Sequence, residues 1–396
     1  MNEEIIRELI QSCHINFLIG SGCSMPYLRT LGNIERYLNQ LETSSFGTQD
    51  ERDVVKVSLM HYYFMSSISK NLELYEGNLD DDAIQVLGCY KNLLRSLNDI
   101  ILHRKTRILN KQINLFTTNM DIFLDKALED LKLEVNDGFV GRINPYFTLS
   151  NFHKSVFKTS SHYDNVSELP LFNLFKVHGS VTWKMKDETD IAYNHGLGVL
   201  REMRNVQFKK GQLLDLNTPP EEDGTETHPF KSIEALIKEA KGIEIVDAHR
   251  TFNELYEKLI IVNPTREKFK FTTLNYVYYE LLRMFSNELE KENNVLFVAG
   301  FSFSDEHIRE IILRSLNSNP TSLVCIFAYD SISEELIKQN LRLKDNPLKY
   351  GNIIFVQRAK KESESDAEIE FDLGNISINY FSALAKRLVK KESSVA

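Results

Sequence analysis

The sequence predicts an α/β fold: a doubly wound, mainly parallel sheet carrying a helical insertion. Three observations lead there. Short apolar runs end abruptly at small polar loops, as buried strands do. Amphipathic helical stripes lie between those runs, the alternation expected of a parallel sheet covered by helices. The 396 residues include 17 glycines and 9 prolines, fewer than average, which favours regular structure.

The elements follow in order. Ile15–Ile19 runs into Gly20-Ser21-Gly22-Cys23-Ser24, and Ile113–Phe116 into Thr117-Thr118-Asn119-Met120-Asp121. Leu174–Val177 runs into His178-Gly179-Ser180, and Val295–Ala299 into Gly300-Phe301-Ser302-Phe303-Ser304-Asp305. Leu259–Val262, Leu323–Phe327 and Ile353–Val356 complete the predicted strands. Helices are expected over Asp121–Leu131, Val277–Leu289 and Asp305–Leu316. The last has Ile308, Ile311, Ile312 and Leu316 on one face and Asp305 placed to cap its start.

Two stretches interrupt the alternation. Residues 49–110 read as helical, and 184–254 as irregular or helical, with Thr218–Gly224 a loop. The expected core is therefore 1–48 with 111–183 and 255–360, followed by a C-terminal segment, 361–396. Phe271-Thr272-Thr273-Leu274-Asn275 echoes Phe116-Thr117-Thr118-Asn119, but no periodic repeat extends it, so it reads as a coincidence of two strand ends. Lys360–Glu370 reads as a solvated charged loop.

Composition removes several functions. Lys and Arg total 47 against 56 Asp and Glu, a net charge of −9, which argues against nucleic acid as the principal ligand. The longest apolar stretches, such as Val295–Phe303, are too short to span a bilayer. Met1-Asn2-Glu3-Glu4 is acidic where a signal peptide is basic. Cys13, Cys23, Cys89 and Cys325 are scattered, with no CxxC pair and no disulfide framework. A cytoplasmic protein with reduced thiols is expected.

In a sheet of this kind ligands sit beyond the carboxyl ends of the strands, so the four polar loops are candidates for one cleft. The glycines of Gly20–Ser24 allow close approach to a phosphate. The same loop also fits a plain strand–helix turn, because it is neither GxGxxG nor a P-loop. Cys23 reads better as a small lining residue than as a nucleophile. Asn119 and Asp121 can fix a ribose and an amide group, or can cap the following helix. His178 is a possible general base, in a chain with 10 histidines. Gly300-Phe301-Ser302 could hold the far end of a dinucleotide or could be another turn. There is no GxSxG, HExxH or HxH pattern.

Taken together and in order, Gly20-Ser21-Gly22-Cys23-Ser24, Thr117-Thr118-Asn119-Met120-Asp121, His178-Gly179 and Gly300-Phe301-Ser302 resemble the GAG[IV]S, TQNxD, HG and GxS motifs of the sirtuin superfamily. Lys176-Val177-His178-Gly179-Ser180-Val181-Thr182-Trp183 and Val298–Ile308 are closer to the sirtuin-like proteins of bacterial antiphage defence. The stretch from Ile260-Ile261-Val262-Asn263-Pro264 through Tyr278–Leu282 also suits that group.

The resemblance implies a Rossmann-like domain that takes NAD as substrate. On that reading Gly20, Ser21, Gly22, Cys23 and Ser24 cradle the phosphates. Asn119 and Asp121 hold the nicotinamide ribose and carboxamide, with Thr118 also in the cofactor site. His178 contacts the ribose hydroxyls and acts as base, while Gly300, Phe301 and Ser302 complete the cofactor site. Asn119, Asp121 and His178 would be the catalytic group. No metal ligand is implied.

Departures from the deacylase pattern set the subtype. Met25-Pro26-Tyr27-Leu28-Arg29 stands where GIPDFR is usual, Thr118 replaces the Gln of TQN, and the cysteines cannot form the zinc module that shapes an acyl-lysine groove. Water is then the expected acceptor, giving an NAD glycohydrolase that depletes cellular NAD. The alternatives are a deacylase or ADP-ribosyltransferase on the same site, or a nucleotide sensor without turnover. The resemblance further implies self-association and a co-encoded regulatory partner, such as a HerA-type hexameric ATPase or an Argonaute.

Overall fold

A computed structural model describes residues 3–30, 32–104, 108–161, 165–187, 190–217, 230–262, 272–345, 347–358 and 368–393. The chain forms two units. One comprises Met1–Tyr27, Leu79–Gly179 and Asn275–Ala396; the other comprises Leu28–Asn78 and Ser180–Leu274.

The first unit is built on a seven-stranded sheet: β1 (His14–Ile19), β2 (Gln112–Thr117), β3 (Val135–Asn136), β4 (Leu171–Lys176), β5 (Asn294–Ala299), β6 (Ser322–Phe327) and β7 (Ile353–Phe355). Their spatial order is β7-β6-β5-β1-β2-β4-β3, and every pairing is parallel. The expected α/β class is the observed one. From β1 the chain builds toward β2 on one side and returns to add β5 on the other. A crevice opens at such a reversal, and ligands use it in sheets of this type.

Both faces of this sheet are covered, which is why its strands read as continuous apolar runs. Register places Leu18 beside Phe116 and Phe116 beside Phe175. Helix α4 (Thr272–Glu290) covers this face, with the Phe285 ring 4.8 Å from Phe116. On the opposite face Phe17 and Phe297 are paired in register, with ring centroids 5.1 Å apart. Phe381, from the helical segment near the C-terminus, meets both. Helices α1 (Glu3–Ser12), α2 (Asp81–Leu102), α3 (Phe123–Asp130), α5 (Glu306–Ser318), α6 (Ser331–Leu341) and α7 (Ala383–Ser393) belong to the same unit, as do four short strands between Phe139 and Glu168.

The second unit is mainly helical, with helices Gly32–Thr43, Gln49–Tyr63, Lys70–Glu76, Gly198–Asn205, Ile233–Ala240 and Asp247–Glu257. Thr48 and Glu51 start the second of these with a reciprocal capping box. Phe252 is fully buried and is edge-on to Phe64 and Phe208. Arg201 pairs with Glu76 at 2.6 Å, and Arg204 pairs with Glu73.

Several local expectations change. Leu259–Val262 is not a strand: it leaves the helix ending at Glu257, and only Ile261 makes a bridge. The run is apolar because Leu259 and Ile260 are buried, while the Ile260 carbonyl accepts from the Ser180 amide. Thr272–Asn275 opens α4 and is not a strand end. Strand β4 starts at Leu171, three residues earlier than its apolar run, because Asn173 is buried within it. Helix α2, expected within the 49–110 insertion, belongs to the sheet unit, whereas 28–48 and 255–274 belong to the second. The Thr218–Gly224 loop and most of Lys360–Glu370 lie outside the described residues, but Glu368 pairs with Arg358 at 2.7 Å. Among the described residues no helix is long and apolar enough to cross a membrane.

Candidate active site

All the sequence-predicted site residues fall in the sheet unit, in the loops after β1, β2, β4 and β5. The β1 loop closes on the β5 loop through backbone alone. The Gly20 amide donates to the Ala299 carbonyl at 2.9 Å, and Gly22 to Gly300 at 3.0 Å. A Cβ on Gly20 would stand 2.3 Å from the Gly300 oxygen, and one on Gly300 would stand 2.5 Å from the Cys23 nitrogen. Glycine is required at both positions by this approach, and at Gly300 also by φ of +63°.

This contact has a consequence for the phosphate role. The amides of Gly20, Gly22 and Cys23 all donate to protein carbonyls. Ser21 and Gly22 are exposed, whereas Cys23 and Ser24 point inward. Burial, then the nearby Asp121 charge, holds the Cys23 thiol far above its ordinary pKa. Cys23 is therefore a packed neutral thiol, not an activated nucleophile.

Ser24, Asn119 and Asp121 form one buried network. Ser24 Oγ donates to Asp121 Oδ2 at 2.7 Å and lies 3.1 Å from the Tyr90 hydroxyl on α2. Asn119 Nδ2 donates to the Gly20 carbonyl at 3.2 Å and to Ser24 Oγ at 3.3 Å. The Asn119 amide bonds to Thr117 Oγ1, which in turn bonds to the Ile19 carbonyl. The Thr118 amide also donates to that carbonyl. Asn119 Oδ1 is buried without a hydrogen-bond partner among the described residues. Such an acceptor is costly unless something pairs with it.

Asp121 is 6% exposed, and its second oxygen accepts from the Phe123 amide at the start of α3. That bond is a turn two residues long, since the N-cap of α3 is Ile122 and carries no side-chain cap bond. Burial raises its pKa, opposed by the Lys176 charge and the Ser24 hydrogen bond. Lys176 is itself buried at the end of β4, where it pairs with Asp125 at 2.6 Å and donates to the Asp121 carbonyl.

His178 stands two residues after Lys176, and Gly179 at φ +79° turns the chain behind it. His178 Nε2 lies 3.0 Å from Asp305 Oδ2. Asp305 is also the N-cap of α5, with its other oxygen accepting from the Ile308 amide at 3.1 Å. In the β5 loop, the Ser302 carbonyl accepts from Asn340 at 2.8 Å, and the Phe301 and Phe303 rings are 5.2 Å apart. Phe303 anchors the loop: it is fully buried and takes φ +60°, a strained value for a non-glycine residue.

The structure thus joins Ser24, Asn119 and Asp121 in one network and gives His178 a separate partner. Sequence reasoning missed Tyr90, Lys176 as a buried cation, and Asp305 beyond its capping role. Lys176 and Asp305 stand inside motifs already singled out, two residues before His178 and five after Gly300. Tyr90 lies in a helical stretch with no signal of its own. A cavity of about 230 Å³, lined by His14, Gln112, Asn114, Asn173, Glu288 and Lys291 among others, opens at the amino ends of the strands, the opposite edge from these loops. Comparison with protein-family models finds no match, and comparison with curated proteins finds none.

Proposed function

We propose that this chain is an NAD glycohydrolase that converts NAD+ and water to nicotinamide, ADP-ribose and a proton. The observation that carries the reading is Asn119. Its side chain is fixed by Gly20 and Ser24 at the carboxyl end of β2, and it keeps a buried acceptor oxygen without a hydrogen-bond partner among the described residues. An amide held in this way suits the ribose or carboxamide at the scissile bond. The resemblance of the four loops to sirtuin motifs supports the same reading.

In the proposed step the bond between ribose C1′ and the nicotinamide nitrogen breaks, and its electron pair neutralises the pyridinium ring. A water oxygen bonds to C1′, and His178 takes the proton that water loses. The developing oxocarbenium charge is stabilised by preorganised dipoles in a site that admits little bulk water. Sustained turnover would deplete NAD, which suits the antiphage role implied by the resemblance. The test is release of nicotinamide from NAD by the purified chain, followed by mass spectrometry. Asn119→Ala and His178→Ala should each lower kcat by about 100-fold or more. Wild-type protein that leaves NAD intact both alone and as a self-assembled oligomer would sink the proposal.

A further inference from the structure

We infer that Asp305 is the positioning residue of His178, fixing which ring nitrogen carries the proton; its catalytic meaning rests on the glycohydrolase reading above. A helix N-cap needs one side-chain acceptor, and Asp305 Oδ1 supplies it to the Ile308 amide. The second oxygen is not needed for capping, yet it lies 3.0 Å from His178 Nε2. With each oxygen held by a different partner, the carboxylate plane is set by α5, and the imidazole is set by the carboxylate.

Two further observations place this pair at the crevice. His178 follows β4 and Asp305 follows β5. Those strands are separated by β1 and β2, a span of about 14 Å at ordinary strand spacing. The pair therefore reaches across the ends of the strands whose loops carry Gly20 and Asn119. Its two side chains are 24% and 22% exposed, so a small molecule in the crevice can reach the imidazole.

The chemistry follows from the contact. An anionic acceptor at Nε2 keeps the neutral imidazole protonated there and leaves the lone pair on Nδ1, which is then the nitrogen that takes the proton from water. The same carboxylate stabilises the imidazolium that forms. Asp305 is suited to remain anionic, since its contact with His178 and the Ile308 amide outweigh burial and hold its pKa down to about 2. His307, on the same helix, is the other titratable group acting on it.

Asp305→Asn provides the test, because asparagine caps a helix as well as aspartate does while removing the charge. The full-length variant should keep its fold, with only a modest fall in melting temperature at neutral pH. The His178 ring, followed by 15N NMR and assigned with His178→Gln, should carry its proton on Nε2 in wild type and lose that tautomer preference in Asp305→Asn. Nicotinamide release should fall by at least about 10-fold in kcat with little change in KM, with partial recovery in Asp305→Glu. Asp305→Ser, another good cap, provides a second charge-free variant should Asp305→Asn fold poorly. An unchanged His178 tautomer overturns the inference, as does an unchanged or increased kcat. Wild type that cleaves no NAD would defeat the glycohydrolase reading alone, and the tautomer would still decide whether Asp305 sets the state of His178.

Discussion

At Asp305 one oxygen holds a helix start and the other an imidazole, and the two contacts give the residue a pH-dependent effect on stability. Its folded pKa of about 2 lies below the ordinary 3.8. The stabilisation is therefore fully present above about pH 4 and is lost as pH falls through about 2, with a magnitude of about 2 kcal/mol. Urea unfolding of wild type and Asp305→Asn should differ at pH 5 and converge toward pH 2; a gap independent of pH would refute this. Asp121 has the opposite sign. Its pKa is raised chiefly by burial, so folding favours its protonated form and its contribution to stability grows as pH falls. Both carboxylates sit at helix starts and look alike in sequence. What separates them is the charge of the neighbour and the depth of burial, neither of which is local in the chain.

Between elements, buried amides cross the sheet in a row. Asn16, Asn114 and Asn173 stand in register on β1, β2 and β4. Asn173 donates to Asn114, and Asn114 donates to Asn16, each at 2.9 Å, with Asn114 also bonded to Glu288 on α4 at 3.0 Å. Replacing Asn114 by Leu strands an acceptor on Asn16, takes a donor from Glu288 and leaves Asn173 Nδ2 with Gln112 alone, at ~1–3 kcal/mol for each buried group left unpaired. We expect a loss of about 3 kcal/mol in urea unfolding; a loss below 1 would mean that the row relaxes freely. Gly300→Ala should also destabilise, by about 1 kcal/mol or more, because its Cβ meets the Cys23 backbone. Thermal melting that matches wild type would contradict the close contact between loops. Apolar runs revealed six of the seven strands of the parallel sheet and their order along the chain, but none of the short strands of the two smaller sheets. They missed β3, which has two residues, and mistook 259–262 for a strand, since periodicity cannot distinguish a short buried strand from a buried chain leaving a helix.

Over the whole molecule, the partition into units was the least legible feature. The second unit joins Leu28–Asn78 to Ser180–Leu274, stretches about a hundred residues apart, and no local pattern says that they belong together. The clustering of site loops was legible, because strand ends in a parallel sheet share an edge wherever they fall in the chain. Every candidate residue lies in the first unit, within Met1–Tyr27, Leu79–Gly179 or Asn275–Ala396. A ligand in this crevice should therefore slow amide hydrogen exchange in four separated stretches at once: 20–24, 117–121, 176–179 and 300–306. With His178→Ala used to block turnover and NAD at about a hundred times its dissociation constant, the folded state gains ~2.7 kcal/mol by mass action, enough to slow exchange through global opening about 100-fold. Protection should be strongest in those four stretches and should fail together in Asn119→Ala if the amide is what holds the substrate. Protection concentrated instead at 28–78 or 180–274, or around the cavity at the amino ends of the strands, would place NAD away from the four loops and undo the assignment of the site.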